Sequence, residues 1–378
     1  MTLSLSKKSS FLPREGFTLD PILLFLRRFT HPVLLLPLLA VIHPRTSPYL
    51  TPLLPQSLPL LTLSSAWIKL LRFLAYLGLF HRLNAFLSKG SLNNWAKDET
   101  WNWDKEVIVV TGGSAGIGKE VVLWLSRVLL ERGKKGKIIV MDIMELGYES
   151  PGNVFHVKVD LSSHESIKSA AESIRASHGP PTVLISNAGI CLGTHILNAS
   201  PAGLSLLFNV NTLAQWYLAQ EFLPSMIVSN HGHIVTVASI GAYVQAPKMV
   251  DYNASKAAAM SFHEGLGIEL RTVYKAEKVR TTLVTPGYVK TPLFEGYNNT
   301  SKFLLPAMEP ETVGEEIGKA VLSGMGGHII LPRGYHAMTG IRGWFSWIQL
   351  RVLDRATRVM DRWRGRRVID PDTHKRKG

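Results

Sequence analysis

From Val107 onward, short runs of aliphatic and β-branched residues alternate with segments whose apolar positions recur every three to four residues. The runs at 107–111, 137–142, 154–159, 183–187, 233–238, 280–284 and 328–331 read as strands, and helical spacing fills the gaps, as over 117–132 and 252–274. Runs that stay apolar without alternation are what strands covered on both faces show, and strands alternating with helices predict a parallel sheet between two helical layers. The pattern therefore predicts one doubly wound α/β domain of the Rossmann type over residues 105–335, with a mostly parallel seven-stranded sheet.

The flanks carry a different pattern. Residues 29–44 are uncharged and follow Arg27 and Arg28, but the stretch is shorter than the roughly 20 apolar residues that a spanning helix needs. The next uncharged run, 46–68, is long enough, yet Pro48, Pro52, Pro55 and Pro59 would break a helix in its first half. Over 66–87, Lys69, Arg72 and Tyr76 share one side among Trp67, Leu70, Phe73 and Leu77, the arrangement of a helix lying in a membrane interface. A cleaved leader does not fit, because residues 1–20 are polar and no small-residue cleavage site follows the apolar run. Residues 1–104 are thus expected to be a membrane-associating region with a hydrophobic helical anchor. Past the last strand, Ile341, Trp344, Phe345, Ile348, Val352, Ala356, Val359 and Trp363 recur near the helical period beside Arg351, Arg355, Arg358 and Arg362. A basic amphipathic helix within 336–378 is expected, suited to a membrane surface, a dimer contact or a lid over a substrate mouth.

Charge sharpens this division. The 378 residues include 42 Lys+Arg and 28 Asp+Glu, for a net charge of +14, and divide into +6 over 1–104, zero over 105–331 and +8 over 332–378. A nucleic-acid enzyme would carry its basic stripe on the working domain, so no nucleic-acid partner is expected; basic flanks beside apolar sequence suit an anionic membrane. With 46% hydrophobic residues the chain is not disordered, and with Cys191 alone it can build neither a disulfide framework nor a Cys-x-x-Cys metal site. No metal is expected, and the domain is expected to face a reducing compartment.

The candidate chemistry begins where the first strand gives way to the first helix of the domain, at Thr111-Gly112-Gly113-Ser114-Ala115-Gly116-Ile117-Gly118. Glycines there let backbone approach a pyrophosphate, and the helix N-terminus offers donors and a favourable dipole. Asp142 ends the second strand, 24 residues after Gly118, where a carboxylate can hold both adenosine ribose hydroxyls and repel a 2'-phosphate; an Asp merely capping the next turn is the plain alternative. Tyr252 and Lys256 stand at i, i+4 on a helix, so the ammonium can draw the phenol down from its ordinary value near 10 toward a working general acid or base.

Taken together, the Gly-x-x-x-Gly-x-Gly loop, Asn187-Ala188-Gly189, Asn209-Val210-Asn211, Val237-Ala238-Ser239 and Tyr252-Asn253-Ala254-Ser255-Lys256 resemble the short-chain dehydrogenase/reductase superfamily over about residues 105–331. The resemblance implies catalysis by Asn211, Ser239, Tyr252 and Lys256: Ser239 and Tyr252 on the reacting oxygen, Lys256 on the nicotinamide ribose, and Asn211 holding a water that connects Lys256 to solvent. It implies a nicotinamide site lined by Thr111, Gly112, Ser114, Gly116, Ile117, Gly118, Asp142, Asp160, Leu161, Asn187, Ala188, Gly189, Tyr252 and Lys256. Pro286, Gly287, Val289 and Thr291 resemble the loop on the nicotinamide side. NAD is the expected cofactor, with NADP as the alternative. Ala214-Gln215 departs from a position where many members have Gly, a change expected to be tolerated because Ala is small.

Other polar candidates point to structure. His231 and His233 read as turn and strand residues, Cys191 as a packed apolar residue, and the sequons at Asn198, Asn298 and Asn299 matter only in a lumenal domain. Over 291–306, Leu293, Phe294, Tyr297, Phe303, Leu304 and Leu305 suggest an apolar flap over the substrate, with Tyr243 and Val244 in the same pocket. The whole looks like the membrane-anchored retinol dehydrogenase and 17β-hydroxysteroid dehydrogenase type 11 branch. That branch implies a lipophilic alcohol or carbonyl substrate, a membrane as partner, an endoplasmic-reticulum or lipid-droplet location with the catalytic domain in the cytosol, and a homodimer as one assembly. The alternatives are an NADPH-dependent reductase of a lipid ketone, such as a 3-keto sphingoid base, and a non-catalytic membrane or lipid-droplet protein that keeps the fold.

Overall fold

The computed structural model describes residues 13–42, 65–299 and 301–366. Most of the proline-broken run 46–68 and the basic end 367–378 lie outside the described residues, as does Thr300 of the sequons. The described residues form two compact units, one within 17–91 and the other within 1–16 and 92–378. Residues 92–104, grouped above with the membrane-associating region, therefore fold with the sheet.

The smaller unit contains helices α1 (Leu19–Phe29), α2 (Pro32–Ile42) and α3 (Ser65–Leu92). Leu35 and Ala75 are buried within it, while Phe25, Phe29, Trp67, Phe73, Phe80 and Phe86 are exposed. Among the described residues no helix is long and apolar enough to cross a membrane. The reasons are local: α2 has 11 residues and α3, with 28, is interrupted by Lys69, Arg72, Arg82 and Lys89.

In the larger unit all seven expected strands form. They are β1 (Val107–Thr111), β2 (Lys137–Asp142), β3 (Val154–Lys158), β4 (Val183–Ser186), β5 (Gly232–Val237), β6 (Val279–Pro286) and β7 (Gly327–Leu331). They pair in the order β3-β2-β1-β4-β5-β6-β7. Every pair is parallel, so the sheet expected to be mostly parallel is wholly so. β1, β4 and β5 are buried along their whole length because helices cover both faces. One core packs Val109, Ile139 and Leu184 with Ile167 and Ile174 of α5 (His164–His178), Phe222 of α7 (Ala214–Ser229) and Leu266 of α8 (Val250–Thr272). The opposite core packs Ile108, Val110 and Val235 with Leu125 of α4 (Gly116–Glu131) and Ile317 of α9 (Pro310–Leu322).

Local sequence sets several helix starts. Ser163 accepts a hydrogen bond from the Ser166 amide to open α5, and Ser200 accepts one from Gly203 to open α6 (Pro201–Phe208), where Pro201 takes the first turn. Ala115, which opens α4, gives no such cap. The strand order reverses between β1 and β4, which leaves a crevice at the carboxyl ends of those strands, and the glycine loop lies there.

The C-terminal segment departs from expectation. The single basic amphipathic helix expected within 336–378 is replaced by 3₁₀ turns over Arg333–Gly343, a helix α10 at Ser346–Asp354, and turns from residue 355. Val359, Met360 and Trp363 are buried in a third apolar cluster with Cys191, Leu207, Met249 and Tyr252. Burial of those three side chains inside the fold takes the place of the continuous helix.

Candidate active site

The glycine loop is braced from β4. The Thr111 hydroxyl accepts the amides of Asn187 at 3.0 Å and Ala188 at 3.1 Å, and the Asn187 carboxamide donates to the carbonyls of Thr111 and Gly112, both at 3.0 Å. Gly118 faces that bridge. A Cβ there would lie 2.2 Å from the Gly112 carbonyl, so α4 can start this close to the loop only with glycine. Its uncapped first-turn amides are donors open to an anion.

Asp142 ends β2 beside this loop. Its carboxylate accepts from the Ser114 amide at 3.0 Å and the Met144 amide at 3.1 Å, while the Ser114 hydroxyl donates to the Met144 carbonyl at 2.9 Å. The turn-capping role therefore exists, and the same carboxylate also fastens the glycine loop. A feature absent from sequence reasoning lies next to it: the guanidinium of Arg366 contacts the Met144 thioether. Asp160 and Leu161 follow β3, Leu161 buried in the core and Asp160 accepting from the amide and hydroxyl of Ser162. On the other side of the crevice, Pro286 closes β6, Gly287 donates to the Leu331 carbonyl at 2.7 Å and Val289 is buried. Thr291 faces the glycine loop, its methyl 3.3 Å from where a Cβ on Gly116 would be. Ile117 packs into the core beneath the loop.

The second group of residues converges at the end of β5. Ser239 follows that strand, accepts the Gly241 amide at 3.1 Å and stands beside the phenol of Tyr252, whose ionised form it favours. Tyr252 and Lys256 occupy the start of α8, with the ammonium 5.9 Å from the phenol ring centre. Lys256 donates to the Val237 carbonyl at 2.8 Å, and a Cβ on Gly189 would come within 3.3 Å of its nitrogen. Burial dominates both groups. It pushes the Tyr252 phenol well above its ordinary value, aided by Cys191 and opposed by the Ser239 hydroxyl, and pulls Lys256 down to about 8. The expected lowering of the phenol by the lysine is not among the influences on Tyr252 in this arrangement, where burial is the largest.

Asn211 lies in a π-turn, Asn209–Leu213, between α6 and α7. Its carboxamide accepts the Ile190 amide at 2.8 Å and donates to the Ile190 carbonyl and the Ser255 hydroxyl, both at 2.9 Å. The side chain is therefore fully used within the protein, and the backbone carbonyl accepts the side-chain N–H of Gln215 at 2.9 Å. Gln215, noted only as a tolerated departure, is buried and belongs to this network.

Above Tyr252 the surroundings are apolar. Phe294 meets the Tyr252 ring edge-on at 5.4 Å, and Leu293 and Tyr297 pack on the same cluster. Of the lesser candidates, Cys191 is buried there as an apolar residue, and His233 is a strand residue bonded to Thr282. His231 does more than turn the chain, since its ring bridges Asp98 at 2.7 Å and Glu106 at 3.2 Å. Among the described residues no group of His, Cys, Asp and Glu could hold a metal.

Comparison with known proteins decides the family: the short chain dehydrogenase pattern matches residues 106–302, over half of the chain. The chain belongs to the short-chain dehydrogenase family. It is accordingly an NAD(P)-dependent dehydrogenase. The dehydrogenase is 46% identical to Dehydrogenase RED2 of Cochliobolus heterostrophus over 202 residues, 53% of this chain and 75% of that protein. It is 32% identical to human Estradiol 17-beta-dehydrogenase 11 over 226 residues, 58% of this chain and 72% of the relative. Human Epidermal retinol dehydrogenase 2 is 31% identical over 223 residues, 57% and 71% of the two chains. A short chain dehydrogenase from Burkholderia cenocepacia in complex with NADP superposes with TM-score 0.55 at 26% identity, covering 67% of this chain and 99% of that one. A 4-hydroxyisoleucine dehydrogenase complexed with NADH shares the fold, with TM-score 0.54 at 23% identity over 61% of this chain and 99% of that one.

Proposed function

We propose that the dehydrogenase transfers hydride between NAD(H) and a lipophilic alcohol or carbonyl, of retinoid, sterol or long-chain lipid type, at a membrane surface. The observation that carries this is the convergence of the Ser239 hydroxyl, the Tyr252 phenol and Lys256 at the end of β5, beneath the apolar side chains of Leu293, Phe294 and Tyr297.

The residues of the crevice fit a dinucleotide. The uncapped start of α4 and the close approach at Gly118 suit a pyrophosphate, and Asp142 suits a ribose diol. Bound there, the nicotinamide supplies the hydride acceptor or donor. Ser239 orients the substrate oxygen, and Tyr252 takes its proton during oxidation or returns one during reduction. Lys256 holds the nicotinamide ribose and exchanges protons with Tyr252. Asn211 keeps the Ile190 segment and Ser255 in place around that lysine, with its backbone carbonyl as the acceptor for a connecting water.

The printed names of two relatives refer to estradiol and retinol, which supports a lipophilic substrate. The exposed aromatic residues of α1 and α3, beside Arg27, Arg28, Lys69 and Arg72, support attachment to an anionic membrane without a span among the described residues. Endoplasmic reticulum or lipid droplet, with the dehydrogenase domain on the cytosolic side, is the proposed location, and a homodimer the proposed assembly.

A second reading has its own observation. Arg366 beside Met144 places a cation two residues beyond Asp142, where it would favour a 2'-phosphate and so an NADPH-dependent reduction of a lipid ketone. Fluorescence titration of the detergent-solubilised protein with NADH and with NADPH separates the two. Tighter NADH binding supports alcohol oxidation, tighter NADPH binding promotes ketone reduction, and binding of neither by folded protein refutes both.

A further inference from the structure

The family pattern ends at residue 302, yet side chains of the apolar cluster that contains Tyr252 come from further along the chain. After α10 the backbone turns back to the flap that follows Thr291. Val359, Met360 and Trp363 are each at most 7% exposed there, in one cluster with Tyr252 and Cys191.

Hydrogen bonds hold this segment along the flap. The Asn298 amide donates to the Val359 carbonyl at 2.8 Å, the Arg364 amide to Glu295 at 2.8 Å and the Arg366 amide to Pro292 at 3.2 Å. The indole N–H of Trp363 donates to the Leu293 carbonyl at 2.9 Å. The indole also abuts Gly193, where a Cβ would come within 2.3 Å of the ring, so only glycine leaves room for it. A segment fixed to the flap by backbone bonds, and seated on a glycine by a buried aromatic ring, is part of the folded site.

We propose that residues 356–366 form the outer wall of the substrate site, with Met360 and Trp363 selecting the substrate by the shape of its apolar body. The proposal rests on the lipophilic-alcohol function above and adds the residues that discriminate among such alcohols. Ser239 and Tyr252 read the hydroxyl, which every candidate has. Discrimination must come from the surface that meets the rest of the molecule, and a thioether and an indole whose N–H is already bonded offer shape alone. The Trp363–Leu293 bond also ties wall to flap, so the two admit a substrate as one piece.

The test uses the full-length enzyme in detergent with NAD and two probes, 1-dodecanol and estradiol. Trp363→Ala is expected to change the ratio of kcat/KM for the two probes by about tenfold or more in favour of the bulkier one, the scale on which pocket volume discriminates. Trp363→Phe, which keeps most of the ring and loses the bond to Leu293, is expected to change it less, and both variants should bind NADH as the parent does. An unchanged ratio in a variant that still binds NADH overturns the proposal, and so does loss of NADH binding in both variants, which would make the segment a general brace. A second measurement needs no turnover: the Tyr252→Phe enzyme is irradiated with a diazirine-bearing dodecanol and the labelled peptides are identified. Label on residues 356–366 supports the wall even if neither alcohol is oxidised, in which case the lipophilic-alcohol function falls alone. Label confined to other peptides overturns the wall.

Discussion

Asn211 returns both ends of its carboxamide to one backbone unit, accepting the Ile190 amide at 2.8 Å and donating to the Ile190 carbonyl at 2.9 Å. Ile190 follows Asn187-Ala188-Gly189, so this exchange sets the segment that passes in front of Lys256. Asn211→Ala leaves an amide, a carbonyl and the Ser255 hydroxyl without these partners, at about 1–3 kcal/mol for each group left unpaired. The variant should unfold at lower urea and lose kcat/KM together. Full activity at parental stability would refute a role for this bracing.

Tyr252→Phe should reduce turnover by roughly 10²–10⁴-fold, the range for a positioned proton donor, with NADH affinity unchanged. Because burial pushes the phenol up and holds Lys256 near about 8, alcohol oxidation in the parent should gain rate as pH rises through about 8. Carbonyl reduction, which needs the protonated phenol, should not share that gain. Rate profiles measured in both directions check the pair of slopes; oxidation that is flat between pH 7 and 9 would remove Lys256 from the proton path.

Cofactor choice depends on Asp142 set against Arg366. Asp142→Ser keeps a hydroxyl acceptor for Ser114 and removes the charge, so NADPH should gain on NADH by about tenfold, or 1.4 kcal/mol. Arg366→Ala should move the ratio the other way. Competitive titrations of both nucleotides on both variants decide, and a ratio that neither substitution alters would locate the selectivity elsewhere.

Stability should fall as the medium becomes acidic. Burial pulls His233 down to about 3, and His263 and His328 to about 4, from an ordinary value near 6.5. Between about 6.5 and 4 the unfolded chain takes protons that the folded chain refuses, so unfolding becomes easier as pH drops through that window. His231 has the opposite sign: its bonds to Glu106 and Asp98 outweigh burial and raise it, so its contribution is complete below about 6.5 and fades as pH rises through its raised value. Urea midpoints between pH 7 and 4.5 should show the net acid loss. His263→Gln, which keeps a partner for Thr236 and cannot be protonated, should flatten it.

Membrane attachment should depend on basic residues of the smaller unit. Reversing Arg27, Arg28, Lys69 and Arg72 to Glu should weaken binding of the full chain to anionic vesicles, at about 1 kcal/mol per lost cation. Salt should weaken the parent in the same direction. Flotation that neither salt nor reversal affects would leave the exposed aromatic side chains as the whole anchor.

Much of the larger unit was legible in the sequence because its signals are local. Strand runs and the glycine loop depend on neighbours a few residues away, and the seven strands form with ends shifted by at most two residues from those expected. Asn211, Ser239, Tyr252 and Lys256 were legible as a set through their order and type, and the doubly wound sheet brings them to one end of the parallel strands. Only the tertiary structure decided that the Asn211 side chain is spent on Ile190, that burial is the largest influence on the phenol, and that His231 joins Asp98 to Glu106 across more than 120 residues. It also decided the course of the C-terminal segment. The apolar period continues past Asp354, so the sequence reads as more helix, but Trp363 finds its hydrogen-bond partner 70 residues away at Leu293 and its seat at Gly193. Periodicity records which side chains seek burial, whereas the surface that buries them is assembled from distant parts of the chain and exists only once the sheet has folded.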